Sequence, residues 1–140
     1  MEARKRRLVR ANAGRRCEYC CIHEDDEAYS FHLEHIIPKK HGGNDALSNL
    51  AWSCHSCNLA KGSNLAGRVK QEVVTLFDPR RQKWKDHFRW NGPLLVGKTK
   101  CGRATILVLN LNAKDRIKLR EVLIAAGLFP PRDAPDHNAT

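Results

Sequence analysis

The residues best suited to chemistry are two cysteine pairs and the polar side chains around them. Cys17 and Cys20 form one Cys-x-x-Cys pair, and Cys54 and Cys57 form a second. Because tetrahedral zinc takes two thiolates from each such tight turn, the two pairs predict one structural zinc site. Cys21 directly follows Cys20, which leaves a one-residue shift of the ligand set as an alternative, although the x-x spacing favours Cys20.

The segment that such a zinc site would close into a loop, together with the residue after it, carries side chains that can contact a phosphate or a hard cation. They are His32, Glu34, His35, Asn49 and Asn58. Carboxylate and amide oxygens suit a cation such as Mg²⁺. A neutral imidazole, with an unperturbed pKa of ~6.5, can accept a proton from water at neutral pH. This combination of groups is suited to hydrolysis of a phosphodiester.

Two neighbouring groups offer competing metal sites. His55 lies inside the second cysteine pair and could act as a zinc ligand, although the cysteines already supply the spacing. Residues 23–26, His-Glu-Asp-Asp, could hold a second metal, but a solvated turn is the simpler interpretation.

A β-hairpin followed by a helix is predicted to position these groups. Residues 29–37 alternate as a strand that ends at Pro38, and residues 50–53 form a second short strand. Between them, Gly42-Gly43 permits backbone angles that other residues resist. The second cysteine pair opens a helix that stops at Gly62.

The alternation of a strand decides which side chains can meet. In a regular strand His32 and Glu34 share one face, whereas His35 points to the other. We therefore expect a twist or a bulge where Glu34 and His35 act on one phosphate. Asn49 is expected to hold the intervening loop through its side-chain amide.

The order of these motifs resembles the HNH endonuclease family. The matching residues are Glu34-His35-Ile36-Ile37-Pro38, Gly42-Gly43, Asn49-Leu50, Cys54-x-x-Cys57-Asn58 and Lys61-Gly62. The resemblance implies an α+β fold with a zinc-stapled ββα-metal core and a C-terminal α/β extension. Asn58 stands where the family name has its final His, and Glu34 stands where Asp is common, which leaves the choice of cation open.

The resemblance also implies a role for each polar residue. His35 would be the general base, and Glu34 and Asn58 would hold a catalytic Mg²⁺ or Mn²⁺ ion, separate from the structural Zn²⁺. His32 would be an accessory contact to phosphate or metal. Asn49 would be the structural amide of the loop.

Charge favours a polyanionic partner. The 140 residues contain 25 Lys and Arg against 15 Asp and Glu, a formal net charge of +10, which is typical of proteins that bind nucleic acid. Residues 1–14 predict a basic helix that would lie along a phosphate backbone or remain a solvated helix. The other candidate phosphate contacts are Arg15, Arg16, Lys39, Lys40 and Lys61.

Composition also bears on the compartment. No segment approaches the ~18 apolar residues of a membrane-spanning helix, and the basic N-terminus lacks the apolar segment of a signal peptide. Six cysteines without a secretory signal indicate metal binding in a reducing compartment rather than disulfides. We therefore expect a cytoplasmic protein with no membrane partner.

Three parts of the chain are predicted. Residues 1–66 would form the basic helix and the zinc-bound core, residues 67–128 an extension packed on that core, and residues 129–140 a disordered tail.

The extension has its own local signals. Residues 73–77 predict a strand, and Asn91-Gly92 predicts the turn of a hairpin. Residues 103–111 suit a helix or a strand. Asn112 is expected to cap a helix over residues 113–126.

Three aromatic residues of the extension, Trp84, Phe88 and Trp90, have two possible uses. They would stack on bases or, as the simpler alternative, pack between the hairpin and the helices.

The sequence therefore predicts a metal-dependent endonuclease that hydrolyses phosphodiester bonds in DNA, with RNA as an alternative substrate. A different class of function is a catalytically silent zinc module that binds DNA or RNA and uses the extension as a protein-docking surface. The presence of Glu34, His35 and Asn58 favours the enzyme.

Overall fold

The computed structural model describes residues 2–132, in which helices alternate with two-stranded antiparallel sheets. The helices are α1 (Glu2–Asn12), α2 (His55–Lys61), α3 (Trp84–His87), α4 (Lys100–Leu109) and α5 (Lys114–Ala125). The strands are β1 (His32–His35), β2 (Leu50–Ser53), β3 (Ala66–Val69), β4 (Glu72–Thr75), β5 (Phe88–Asn91) and β6 (Leu94–Gly97), paired as three successive hairpins. This arrangement confirms the α+β class.

The β1–β2 hairpin is regular along its whole length. Its register runs without interruption from His32 opposite Ser53 to His35 opposite Leu50. The bulge expected at this point is therefore absent from β1, because no residue is left unpaired in the register. β1 is also shorter than predicted, since the N–H of Ile37 donates to the side chain of Asn49 rather than to a strand.

Helix α2 follows β2 directly and confirms the predicted boundary. The thiol of Cys54 accepts a hydrogen bond from the N–H of Cys57 at the start of the helix. Gly62 ends the helix with a positive φ of 53°, a conformation that favours glycine. α2 packs against β1 and against α4 of the extension.

In the extension, α4 is the element on which the hairpins pack. It contacts β3, β4 and β6. Because α4 runs to Leu109, residues 103–111 are mainly helical rather than a strand. The hydroxyl of Thr99 caps α4 by accepting from the N–H of Gly102. The predicted cap of α5 by Asn112 is wrong, because its amide instead exchanges two hydrogen bonds with the backbone of Leu95.

An aromatic cluster fills the space beside the β5–β6 hairpin. Trp84 and Phe88 are buried, and the Trp84 ring lies 5.8 Å from that of Trp90. Phe129, which the prediction placed in the disordered tail, is buried with its ring 4.9 Å from Trp90. These contacts favour packing over base stacking for the three aromatic residues. The rest of the predicted tail from residue 133 lies outside the described residues.

Among the helices of residues 2–132, none has the length and apolar character needed to cross a bilayer.

The loop between β1 and β2 depends on Gly43. A Cβ added there would lie 1.7 Å from the carbonyl oxygen of Ile37 and 3.0 Å from the amide nitrogen of Asn49. Those two groups are themselves hydrogen-bonded at 3.0 Å. Gly42 differs, because it has a φ of 88° but open space around its α-carbon.

Replacing each glycine by alanine separates these two constraints. Gly42→Ala should cost about 1 kcal/mol through left-handed strain alone. Gly43→Ala should lower the melting temperature clearly further, because backbone atoms at the end of β1 must move. Thermal melts of both zinc-loaded variants check this expectation, and equal shifts would contradict it.

Candidate metal and catalytic site

The two cysteine pairs meet at one point. The ligand atoms of Cys17, Cys20, Cys54 and Cys57 all lie within 4.8 Å of one another, and all four residues are buried. Cys20 Sγ and Cys54 Sγ are 3.7 Å apart, which matches the ~3.8 Å edge of a tetrahedron with Zn–S bonds of ~2.3 Å. Cys21 is buried but lies outside this group. The chain therefore has a four-cysteine metal-binding cluster whose donors suit zinc.

Backbone and side-chain donors surround the thiols. The N–H groups of Tyr19 and Cys20 point at Cys17 Sγ, at 3.4 and 3.5 Å. Arg116 of α5 donates from Nη1 to Cys57 Sγ at 3.4 Å. Burial lowers the pKa of Arg116, but the neighbouring thiolates outweigh burial and raise it. Because zinc with four thiolates carries net negative charge, the guanidinium is a matched counter-charge.

Two more contacts join the extension to the first cysteine turn. The Arg80 guanidinium forms a buried ion pair with Glu18, whose other oxygen accepts from the N–H of Trp52 at 2.7 Å. The indole N–H of Trp84 donates to the carbonyl of Tyr19 at 2.9 Å. The two residues between Cys17 and Cys20 are thus bonded both to β2 and to the extension.

Glu34, the predicted cation ligand, lies inside the protein. Its residue is only 5% exposed, and Oε1 lies 2.5 Å from the ammonium of Lys61. The Tyr19 hydroxyl donates to Oε2 at 2.7 Å. Burial raises the pKa of Glu34, and its two partners offset only part of that rise.

The second predicted ligand of the cation, Asn58, lies on the same helix as Lys61. Positions three apart share one face of a helix, so Asn58 stands one turn before the lysine that reaches Glu34. The carboxylate and amide oxygens are a hard donor set. The ammonium of Lys61 shows that positive charge is accommodated at Glu34, and the chemistry of these two donors suits a hard cation.

His35, the predicted base, lies on the other side of the hairpin. Its side chain is 30% exposed, and Nε2 lies 2.8 Å from Asp45 Oδ1. The ammonium of Lys39 is 3.2 Å from the same oxygen. Asp45 was not among the predicted site residues, because its only local signal is a position just after the Gly-Gly turn, and the pairing depends on how the loop folds back.

His32 is placed with His55 rather than with His35. His32 Nε2 lies 3.1 Å from His55 Nδ1, and the exposed ring of Tyr29 lies 4.9 Å from that of His55. Burial, and then the charges of His55 and Arg6, lower the pKa of His32. His55 therefore pairs with a histidine and lies outside the four-cysteine cluster.

Asn49 joins the ends of the loop through its side chain. Oδ1 accepts from the N–H of Ile37 at 2.8 Å, and Nδ2 donates to the carbonyls of Ile37 and Asn44. These bonds are of the kind expected for a structural amide. They place Asn49 next to the end of β1, which carries His35.

Comparison with known proteins agrees with this geometry. Residues 17–64 match the family model described as HNH endonuclease. This segment is an HNH domain. The chain is also similar to the Septu protein PtuB of Bacillus thuringiensis, with 31% identity over 111 residues. That match covers 78% of this chain and 41% of the relative, so the chain spans less than half of that relative's length. No solved structure matches significantly.

The basic residues around the HNH domain fall into two groups. Arg15, Lys39 and Lys40 are exposed. Arg16 is half-buried and donates to the carbonyl of Cys21, and Lys61 is buried at 1% exposure. Lys61 therefore does not offer its charge to solvent in this structure.

Helix α1 is attached to the HNH domain by some of its basic side chains. Arg10 makes a three-bond pair with Glu24, and Arg6 lies over the Trp52 ring while donating to a carbonyl. Arg4 and Arg7 remain exposed. The helix is thus packed on the domain and still presents free positive charge.

The contact of Arg116 with Cys57 yields a test of the metal cluster. Arg116→Met should speed the transfer of zinc to a chromogenic chelator about 10-fold, because an outer-shell donor to a thiolate is lost. Lys118→Met, on the exposed side of the same helix, is the matched control. Equal release rates for both variants would show that Arg116 does not stabilise the bound metal.

Proposed function

We propose that this chain is a metal-dependent endonuclease that hydrolyses phosphodiester bonds in DNA. The observation that carries the proposal is the His35–Asp45 pair, a partly exposed imidazole 2.8 Å from a carboxylate. The pair stands at the end of a strand whose partner strand runs directly into the metal cluster. Membership of residues 17–64 in the HNH family supports the same chemistry.

His35 acts as the general base. The hydrogen bond from His35, together with that from Lys39, lowers the pKa of Asp45, so the carboxylate is ionised and can only accept. The proton of the neutral ring therefore lies on Nε2. Nδ1 keeps the lone pair that takes a proton from the attacking water. Asp45 is a positioning residue that fixes this tautomer and stabilises the imidazolium.

Glu34 and Asn58 would hold a catalytic Mg²⁺ or Mn²⁺ ion. Such an ion supplies stabilisation of negative charge on the phosphate and the leaving oxygen. Asn49 keeps the strand end in place, and His32 is an accessory contact at the other end of β1.

The substrate is placed by charge. The exposed basic residues of α1 and of the loop after β1 supply contacts to the phosphate backbone, which fix position without reading sequence. They include Arg4, Arg7, Arg15, Lys39 and Lys40. DNA is the proposed substrate, and RNA is the alternative that presents the same phosphates.

The proposed organisation of the chain is a nuclease core at residues 1–66 with an extension at residues 67–128 packed on it. The contacts that support this division are those from Arg80, Trp84 and Arg116 to the cysteine turns. They would make the extension a clamp on the metal cluster.

One observation favours the alternative function, a silent zinc module that binds DNA or RNA. Both carboxylate oxygens of Glu34 already have protein partners, and the residue is buried. A chain that never releases this carboxylate would bind nucleic acid without cutting it.

A plasmid assay separates the two functions. His35→Ala should lower cleavage of supercoiled DNA in Mg²⁺ or Mn²⁺ by about 10²–10⁴-fold, as is typical for loss of a general base. Zinc content, melting and DNA affinity should stay unchanged, because the base acts in the transition state. Asp45→Asn should lower the rate less, since the ring loses the carboxylate that fixes its tautomer and the imidazolium loses its counter-charge.

His41→Ala is the matched control, because His41 is an exposed histidine of the same loop. Its cleavage rate should equal that of the parent chain. Cleavage by His35→Ala at the parent rate would overturn the proposed mechanism, and absence of cleavage by the parent chain would favour the silent module.

Salt dependence tests the role of α1. The double variant Arg4→Gln/Arg7→Gln should reduce the slope of log affinity against log salt by about 1.8, because each lost phosphate contact removes ~0.9. Lys85→Gln/Arg89→Gln, an exposed basic pair of the extension, is the control and should keep the parent slope. An unchanged slope in the first variant would leave α1 as a solvated helix.

A further inference from the structure

Lys61 is a buried lysine whose ammonium contacts three oxygen atoms. Its ammonium lies 2.5 Å from Glu34 Oε1 and donates to the carbonyls of His35 at 3.3 Å and Ile36 at 3.0 Å. An ammonium has three donors, and here three oxygens surround it. The residue is 1% exposed, whereas lysines are almost never fully buried without a partner.

The Lys61 ammonium occupies the side of Glu34 Oε1 on which a cation bound by this carboxylate would lie. Glu34 is the carboxylate assigned above to the catalytic ion, and Asn58 lies one helical turn before Lys61. Tyr19 occupies the other carboxylate oxygen. With 5% exposure, Glu34 has no open side on which a second cation could be added while the ammonium stays in place.

We propose that the Lys61 ammonium is a built-in competitor that occupies the cation position at Glu34 and must leave before a divalent cation binds. The inference rests on the proposed function in its assignment of Glu34 as a ligand. It adds that this chain sets its own metal affinity, because the ion pair and the metal complex exclude each other.

A displaced Lys61 side chain would have an adjacent cavity to enter. Lys61 lines a cavity of about 530 Å³ between the HNH domain and the segment after β4, and Asp78 lines the same cavity. The ammonium would thus exchange one carboxylate for another. Because Lys61 also holds the carbonyls of His35 and Ile36, its departure would release the strand end that carries the proposed base.

Metal affinity measured without any cleavage tests the exchange. Mn²⁺ binding to the zinc-loaded full chain is followed by the loss of the free-ion signal in electron paramagnetic resonance. A ligand's apparent affinity is reduced by the fraction of protein competent to bind it, so a pair that is ~90% closed weakens binding about 10-fold. Lys61→Met should therefore bind Mn²⁺ about 10-fold more tightly than the parent chain.

Two variants show whether the gain arises at Glu34. Lys61→Met/Glu34→Gln should lose the added affinity, because the carboxylate ligand is gone. Lys118→Met, which removes one exposed lysine of α5, should bind Mn²⁺ as the parent does. Unchanged affinity in Lys61→Met, or an equal gain in Lys118→Met, would overturn the proposal.

A second measurement covers the case in which Lys61→Met fails to fold. A buried ammonium held by three oxygens exchanges its protons slowly and gives its own signal in ¹⁵N-lysine-labelled parent protein. Titration with Mg²⁺ should remove that signal as the ion binds, and its persistence at saturating Mg²⁺ would overturn the exchange. The plasmid assay decides the nuclease proposal separately, so cleavage by a chain whose Lys61 signal persists would reject only this inference.

Discussion

The structure depends first on the convergence of four thiols from two distant turns. A sheet of two four-residue strands buries too little apolar surface to be stable alone, and both strands of the β1–β2 hairpin have that length. The metal cluster supplies the missing constraint, because β2 runs directly into Cys54 and the first cysteine turn bonds to Trp52 through Glu18. Holding these turns together fixes the hairpin, and the hairpin in turn fixes the loop that carries Asp45 and Asn49.

Around the cluster, charge is buried in matched pairs rather than excluded. Glu18 pairs with Arg80, Glu34 pairs with Lys61, and Arg116 faces the thiolates. Removing one member of such a pair strands a charge at a cost of about 3–5 kcal/mol, whereas the intact pair adds little net stability. These pairs therefore contribute more to the specific arrangement of the extension on the HNH domain than to net stability. This explains why the extension, which supplies Arg80 and Arg116, is packed against the first and second cysteine turns.

Local signals in the sequence predicted the features that depend on residues close together in the chain. The cysteine spacing, the short strand β2 and the end of α2 at Gly62 were all predictable, because each depends on neighbours in the chain. The side-chain partners were less predictable. Asn112 has a good capping side chain but clamps Leu95 instead, and Lys61 was expected on the surface among the phosphate contacts. In both cases a partner distant in sequence outcompetes the local or solvent alternative, and only the assembled fold brings that partner near.

The regular register of β1 sets a problem for the proposed catalysis that the proposed displacement of Lys61 would resolve. Because adjacent residues of a strand point to opposite faces, Glu34 and His35 cannot both meet one phosphate through a straight β1. Lys61 links the two residues, since it binds the Glu34 side chain and the backbone carbonyl of His35 at once. An exchange of this ammonium for a divalent ion would change the charge partner on one face and release the backbone that orients the base on the other. Cation binding and placement of the base would then occur together. The straight strand with the Lys61–Glu34 pair intact would be the resting form, before the cation binds.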